Sequence, residues 1–187
     1  MEKQVYQIQI VLKGSKPQIW RKVLVPSDIF MFDFHLVIVL AMGWTGLHLH
    51  QFEIDGKTYS ERDPDDDFWD ESDFIDYGDM RLSEFMKKEG DKMSYEYDFG
   101  DGWEHNIVLE KILPFEKGQN YPQCIDGKMA CPPEDCGGIG GYALMLEALK
   151  DPNHEEYEYY VDWIGEDFDP IAFNKEEVNE VLKEKDI

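Results

Sequence analysis

Residues 97–105, Tyr-Asp-Phe-Gly-Asp-Gly-Trp-Glu-His, place two carboxylates and an imidazole around a glycine-flanked turn. The spacing predicts that Asp98, Asp101 and His105 meet at the mouth of a β-hairpin, with Trp103 beside them. Such groups can bind a divalent cation, or one of them can act as a general base. The alternative is structural, because an aspartate in a Gly-Asp-Gly turn often accepts hydrogen bonds from its own backbone, and Trp103 and His105 can face the core.

Two histidines, His48 and His50, lie two residues apart in a segment whose apolar and polar residues alternate. Side chains at this spacing point to the same face of a strand, so the pair can bind one metal ion. The alternative is a pair that is solvated or that packs into the core.

The three cysteines, Cys124, Cys131 and Cys136, lie within 13 residues of one another. Their spacing lacks the tight pairs of a zinc finger or zinc ribbon. A zinc site built on these cysteines would need a fourth ligand, which would have to come from Asp135, His105 or His48. Free thiols are the alternative.

The segment Cys-Pro-Pro-Glu-Asp-Cys-Gly-Gly around these cysteines also predicts a rigid turn. The two prolines fix the backbone, and the two glycines let the chain turn sharply into the next helix. Glu134 and Asp135 would then accept hydrogen bonds from nearby amides. Either carboxylate beside a histidine would also make an acid–base pair in a pocket.

The chain of 187 residues has 41 acidic and 18 basic residues, a formal net charge of −23, and 14% aromatic residues. Because disordered acidic chains are poor in aromatic residues, this composition predicts a folded protein. A nucleic-acid backbone is disfavoured as a direct partner, because binding phosphates requires a basic patch. An anionic membrane surface is disfavoured for the same reason.

The acidity is concentrated in two segments. Residues 61–79 contain ten acids and one base, and residues 151–187 contain thirteen acids and three bases, whereas residues 1–60 contain five acids and six bases. The nearly neutral part that carries most of the histidines can therefore still meet an anionic ligand.

Residues 61–79 have neither helical nor strand periodicity and predict an exposed acidic loop that contains aromatic residues. The aromatic rings either pin this loop to the body of the protein or form a contact surface for a protein partner. The candidate partner surface consists of Asp65, Asp66, Asp67, Phe68 and Trp69.

The order of elements predicts one α+β domain over residues 1–187. Strand patterns dominate the first part of the chain, and helical patterns dominate residues 142–187. We expect an antiparallel sheet of five or six strands with helices packed on one face, and a β-grasp-like half is possible. Residues 114–141, rich in glycine and proline, predict a long ordered loop, a type of segment that is often functional.

The sequence carries no pattern of membrane insertion or export. The longest apolar run, 36–42, has seven residues, whereas a membrane-spanning helix needs roughly 20. The first residues lack the basic and apolar regions of a secretory signal, so we expect a cytosolic protein.

Three blocks of the sequence together carry a resemblance to a known family. They are Gly-Trp followed by His-Leu-His-Gln-Phe at 43–52, the Asp-Phe-Gly-Asp block at 98–101, and the Pro-Pro-Glu-Asp block at 132–135. In this order they resemble the family named after the third open reading frame of an Ri plasmid, whose members are also described as insertion-sequence passenger proteins. The resemblance spans about residues 5 to 173. It implies a single domain of shared architecture and an association with mobile elements, and no catalytic assignment comes with it.

Three functional hypotheses follow from the sequence. The first is a non-catalytic binding or adaptor module that offers the acidic aromatic loop 61–79 to a protein partner. The second is a metal-binding protein or metal-dependent hydrolase, with zinc as the candidate ion. Its site would draw on His48, on Asp98, Asp101 and His105, and on the Cys131–Cys136 segment. The third is an acidic DNA-mimic decoy.

Overall fold

The computed structural model describes residues 3–61 and 74–185, which form eight strands and five helices. The strands are β1 (Gln4–Leu12), β2 (Trp20–Pro26), β3 (His50–Ile54), β4 (Lys57–Ser60), β5 (Ile75–Asp76), β6 (Lys92–Tyr97), β7 (Trp103–Pro114) and β8 (Gln123–Lys128). The helices are α1 (Met31–Met42), α2 (Leu82–Phe85), α3 (Gly138–Ala148), α4 (Tyr157–Ile164) and α5 (Lys175–Glu184).

All eight strands belong to one sheet in the order β5-β4-β3-β6-β7-β1-β2-β8. Neighbouring strands are antiparallel, except for the parallel pair β4 and β5. The α+β class is as predicted, but the predicted count of five or six strands is wrong. The two additional strands form the edges of the sheet: β5 has two residues, and β8 lies within the segment 114–141 and pairs with the distant β2.

One face of the sheet is buried along most of its width. Alternate residues are buried in β6 (Met93, Tyr95, Tyr97) and in β7 (Trp103, His105, Ile107, Leu109), while the residues between them are half-buried or exposed. This period of two is the pattern of a sheet with one side against the core.

Helix α1 packs on the buried face of the sheet. Its Phe34 ring stacks with Phe52 of β3 at 6.2 Å, and the His35 ring hydrogen-bonds the Tyr95 hydroxyl of β6 at 2.7 Å. The helix ends at Gly43, whose φ of 93° is the left-handed conformation that glycine adopts without strain. The chain leaves the helix there and begins the segment 43–49, which lies at the end of the sheet.

Arg21 of β2 fastens the end of α1 to the sheet edge, although it has no carboxylate partner among the described residues. Its Nε donates to the Ala41 carbonyl at 2.9 Å, and its Nη1 donates to the carbonyls of Trp20 and Lys128. The guanidinium also lies 4.5 Å from the centroid of the Phe173 ring. The buried Arg21 guanidinium thus fixes the points where the chain leaves α1 and where it leaves β8.

The prediction of a helical part over residues 142–187 is confirmed in part: α3, α4 and α5 lie between residues 138 and 184, α3 begins before 142, and the stretches between the helices are not helical. In the described part of the chain, no helix is long and apolar enough to cross a membrane. The predicted acidic loop 61–79 lies mostly outside the described residues.

The start of α3 is packed tightly against the segment that precedes it. A Cβ added at Gly141 would lie 1.8 Å from the Cys136 carbonyl oxygen, whereas one added at Gly140 would meet nothing within 4 Å. The two neighbouring glycines therefore have different roles, because only Gly141 is required for the close approach.

This difference predicts opposite effects of the same substitution. Gly141→Ala should lower the free energy of unfolding by about 1–3 kcal/mol, because the methyl group overlaps backbone. Gly140→Ala should leave it unchanged or raise it by up to about 1 kcal/mol, because alanine favours a helix. Urea denaturation of the two variants checks this, and equal effects would contradict the packing described here.

Three histidines lie in the core: His35, His50 and His105. The rings of His35 and His50 stack with centroids 3.5 Å apart, and His50 Nε2 hydrogen-bonds the Tyr77 hydroxyl at 2.8 Å. Burial lowers the pKa of His35 to about 2, with a smaller contribution from His50, and lowers the pKa of His50 to about 4. The stacked pair is therefore neutral in the folded protein.

The third buried histidine, His105, has no hydrogen-bond partner on either ring nitrogen within the described part of the chain. Its ring and the Trp44 ring meet in a T-shaped arrangement, with centroids 5.4 Å apart. Burial lowers the pKa of His105 to about 4, with nearby backbone of Trp103 and Tyr95 acting in the opposite direction.

Acid should therefore destabilise this fold through its histidines. In the unfolded chain a histidine has a pKa of about 6.5, so below this pH the unfolded state binds more protons than the folded state. Each buried histidine then lowers the free energy of unfolding by about 1.4 kcal/mol per pH unit, until the pH reaches its own folded pKa. Urea denaturation between pH 7.5 and pH 5 measures this slope.

The variant His105→Leu isolates one contribution, because leucine is apolar, suits this fully buried position and cannot bind a proton. It should reduce the slope by about 1.4 kcal/mol per pH unit. An unaltered slope in His105→Leu would contradict the prediction.

Candidate functional site

Three segments meet at one end of the sheet. They are residues 43–49 between α1 and β3, residues 98–102 between β6 and β7, and residues 129–137 between β8 and α3. The backbone N–H of Asp98 donates to the Leu49 carbonyl at 2.8 Å, which joins the first two segments. The Trp44 indole N–H donates to the Pro132 carbonyl at 2.9 Å, which joins the first and the third.

His48, Asp98 and Asp135 come together where these segments meet. His48 Nδ1 lies 3.7 Å from Asp98 Oδ2, and His48 Nε2 lies 3.7 Å from Asp135 Oδ1. Within residues 3–61 and 74–185, these three form the one group of metal-ligating side chains whose ligand atoms all lie within 4.8 Å of one another. One imidazole thus faces a carboxylate on each side.

Asp98 is fixed by its own turn. Its Oδ1 accepts hydrogen bonds from the backbone N–H groups of Gly100 at 3.0 Å and Asp101 at 3.4 Å. Its φ of 58° is left-handed, a conformation that aspartate adopts more readily than most residues. The turn thus occupies one carboxylate oxygen and leaves Oδ2 directed at the imidazole.

Tyr97 holds His48 in place. The two rings meet edge-on with centroids 5.6 Å apart, and the Tyr97 hydroxyl accepts hydrogen bonds from the backbone N–H groups of Gly46 at 3.1 Å and His48 at 3.4 Å. The Tyr97 ring in turn stacks on Trp44 at 5.2 Å. Aromatic packing below the imidazole therefore sets its position.

Glu134 closes the third segment onto the first. Its carboxylate accepts hydrogen bonds from the Thr45 backbone N–H and the Thr45 hydroxyl, both at 3.0 Å, and from the Tyr97 hydroxyl at 2.6 Å. Burial and the bond to Glu134 raise the pKa of Tyr97 to about 12. Because these three donors occupy the carboxylate, Glu134 acts as a clamp and leaves Asp135 as the carboxylate that faces His48.

The remaining residues of the predicted hairpin site lie apart from this group. Asp101 Oδ2 accepts a hydrogen bond from the Gly137 N–H at 3.2 Å and so binds the turn to the start of α3. Trp103 and His105 are fully buried and face the core. Of the predicted histidine pair, His48 lies in the candidate site, but β3 begins only at His50, whose ring turns into the core.

The cysteines supply no ligand to the described group. Burial raises the pKa of both Cys131 and Cys136 to about 12, so both thiols are protonated at neutral pH. Cys124 is buried and its pKa is also raised by burial. Within the described part of the chain all three are free thiols.

The candidate partner surface at Asp65–Asp67, Phe68 and Trp69 lies outside the described residues. The adaptor hypothesis that depends on it stays a prediction.

Sequence reasoning missed two parts of the site. Thr45 and Tyr97, which hold the segments together, are ordinary residue types, and their partner Glu134 lies 89 and 37 positions further along the chain. The second part is a set of exposed apolar side chains around His48: Leu47 is 85% exposed, Leu49 is 71% and Phe99 is 46%. The sequence Leu-His-Leu at 47–49 could have pointed to Leu47 and Leu49. Its alternation resembles that of a strand, but these residues lie before β3.

The arrangement combines a fixed carboxylate, a held imidazole and an accessible carboxylate. The side chains of His48 and Asp135 are 31% and 72% exposed, and that of Asp98 is 11% exposed. Imidazole nitrogen and carboxylate oxygen suit zinc and other divalent transition metals. The group can therefore bind an ion that remains open to solvent on one side.

Comparison with known proteins identifies the family. Residues 4–177 match the plasmid pRiA4b ORF-3-like proteins. The uncharacterized protein y4hQ of Sinorhizobium fredii (strain NBRC 101917 / NGR234) is 36% identical over 180 residues, which cover 95% of this chain and 90% of y4hQ. The crystal structure of MM3350, a protein of unknown function from Methanosarcina mazei Go1, is 38% identical with a TM-score of 0.83, and the match covers 94% of this chain and 98% of MM3350. As the three sequence blocks predicted, the chain belongs to the plasmid pRiA4b ORF-3-like family.

Proposed function

We propose that this chain is a metal-binding protein in which His48, Asp98 and Asp135 hold a divalent transition-metal ion. The observation that carries the proposal is that one imidazole nitrogen and one oxygen from each of two carboxylates lie within 4.8 Å of one another. Zinc is the candidate ion, because it accepts both nitrogen and oxygen ligands at tetrahedral sites.

The distance between His48 Nδ1 and Asp98 Oδ2 suits a bridging ion. It is 3.7 Å, longer than a hydrogen bond, and two ligand atoms that bind one zinc ion at a tetrahedral angle lie about 3.4 Å apart. The 3.7 Å contact of Asp135 is to the other ring nitrogen, Nε2. Asp135 would therefore have to turn toward the Nδ1 side of the ring to bind the same ion.

The three side chains have different roles in this proposal. One imidazole presents a single nitrogen to an ion, and His48 Nδ1 faces Asp98, which its own turn fixes in place. We assign this pair to the ion as its fixed ligands. Asp135, whose side chain is 72% exposed, completes the set and is the ligand that water can replace most easily.

An ion held in this way would keep open coordination positions. Three protein ligands and a bound water are the arrangement of catalytic zinc sites, where the metal lowers the pKa of the water. The exposure of His48 and Asp135 gives a substrate access to that water. A metal-dependent hydrolase is therefore the enzymatic form of this proposal.

Metal titration tests the site directly. Protein purified without metal-affinity resin and dialysed against EDTA should bind about one equivalent of zinc in a calorimetric titration, and His48→Ala should weaken binding by about 100-fold, because it removes a ligand. His154→Ala removes an exposed histidine elsewhere and should bind zinc as the unmodified protein does. Binding below a tenth of an equivalent, or equal binding by His48→Ala, would refute the proposal.

The different roles assigned to the two carboxylates predict that their substitutions weaken zinc binding to different extents. Asp98→Asn should weaken zinc binding by about 100-fold and Asp135→Asn by about tenfold, because water substitutes for an exposed ligand more readily. Asparagine still accepts the two backbone hydrogen bonds of the Asp98 turn, so the fold is retained.

Asp101→Asn is the matched control, since it makes the same charge change in the same turn and retains an acceptor for the Gly137 N–H. Its zinc affinity should change by less than about twofold. If all three variants weakened binding equally, the acidic surface as a whole would be responsible and the ligand assignment would be wrong.

A further inference from the structure

Three sequence neighbours of the candidate site's residues are apolar and exposed to solvent. Leu47 and Leu49 flank His48 and are 85% and 71% exposed, and Phe99 follows Asp98 and is 46% exposed. The hydrogen bond between the Asp98 N–H and the Leu49 carbonyl places the two segments side by side. We call these three side chains the apolar rim.

The apolar rim is exposed although its segments are firmly held. The Tyr97 hydroxyl accepts hydrogen bonds from the backbone of Gly46 and His48, and Glu134 accepts two from Thr45. The residues next to the rim are therefore fixed to the body of the protein, while the leucine side chains point away from it. Exposed apolar side chains on a firmly held backbone are typical of a contact surface.

The charged residues of the three segments that carry the apolar rim and the site have one sign. Segments 43–49, 98–102 and 129–137 together contain four acids and no lysine or arginine. The acids are Asp98, Asp101, Glu134 and Asp135. A ligand for this surface must therefore combine apolar groups with positive charge.

We propose that the apolar rim docks an extended segment of another polypeptide, in which a leucine-like side chain lies next to a lysine or arginine. The apolar side chains would pack on Leu47, Leu49 and Phe99, and the cation would lie over the carboxylates between them. A polypeptide fits because the anchors are spread over two segments and point outward. Nucleic acid and anionic lipid are disfavoured by the acidic surroundings.

This docking surface does not require the metal ion of the proposed function. A divalent ion would neutralise part of the negative charge, so the metal-free protein should bind the cationic segment at least as well. Peptide binding measured in EDTA therefore tests the docking surface separately from the metal site. The peptide can bind even if the protein binds no zinc, and the protein can bind zinc even if the peptide does not bind.

Fluorescence polarisation with short labelled peptides tests the surface. The probe is the hexapeptide Lys-Leu-Lys-Leu-Lys-Leu, and its comparisons are Lys-Ser-Lys-Ser-Lys-Ser and Glu-Leu-Glu-Leu-Glu-Leu. We expect the first to bind at least tenfold more tightly than either of the others. Equal binding of the lysine–serine peptide would overturn the proposal, because charge alone would then explain it, and so would a lack of binding by the probe.

The rim itself is tested by the triple variant Leu47→Ser, Leu49→Ser, Phe99→Ser, which should bind the probe at least tenfold more weakly. The control is Leu144→Ser with Ile171→Ser, which removes two side chains that are 66% and 70% exposed elsewhere on the surface. The control should change the affinity by less than twofold. An equal loss in the control would overturn the proposal.

Thermal unfolding of each variant checks that the fold is intact. If the triple variant does not fold, Leu47→Ser alone decides the outcome, because this side chain is 85% exposed. The single variant should weaken probe binding at least threefold, and an unchanged affinity would overturn the proposal.

Discussion

The hydrogen bonds of the Glu134 carboxylate are the constraint on which the candidate site depends. They tie Glu134 to Thr45 and to Tyr97, so one carboxylate joins the segment after β8 to the segment after α1 and to the end of β6. Glu134 directly precedes Asp135, so these bonds help to set the place of Asp135 beside His48. The indole hydrogen bond from Trp44 to the Pro132 carbonyl supports the same closure from below.

The clamp works because the sheet beneath it is firmly packed. Tyr97 belongs to β6, its ring stacks on Trp44, and the buried face continues through His105 and Tyr95 to the stacked pair of His35 and His50. Neutral imidazoles fill this core much as aromatic rings do, at the expense of stability in acid. The same residue type therefore has two roles in one chain: three histidines belong to the core, and His48 belongs to the surface site.

Much of the fold could be predicted from local patterns, and the candidate site could be predicted only in part. Alternation identified the long strands, and Asp98 and Asp135 were among the predicted candidates together with His48. His105 was grouped with Asp98 because both lie near one turn, but the period of two in β7 directs the imidazole into the core. The short strands β5 and β8 show little alternation, and each pairs with a strand that is distant in the sequence. The predicted number of strands was therefore too low.

The sequence by itself determined the family, the α+β class and the residue types able to bind a metal ion, because motifs, periodicity and side-chain chemistry are local properties. Tertiary structure alone decided which of those residues meet. His48 and Asp135 are 87 positions apart, and only the order of strands and the Glu134 clamp bring them within 3.7 Å. It also decided that Leu47, Leu49 and Phe99 face solvent, because exposure depends on what the rest of the chain leaves uncovered.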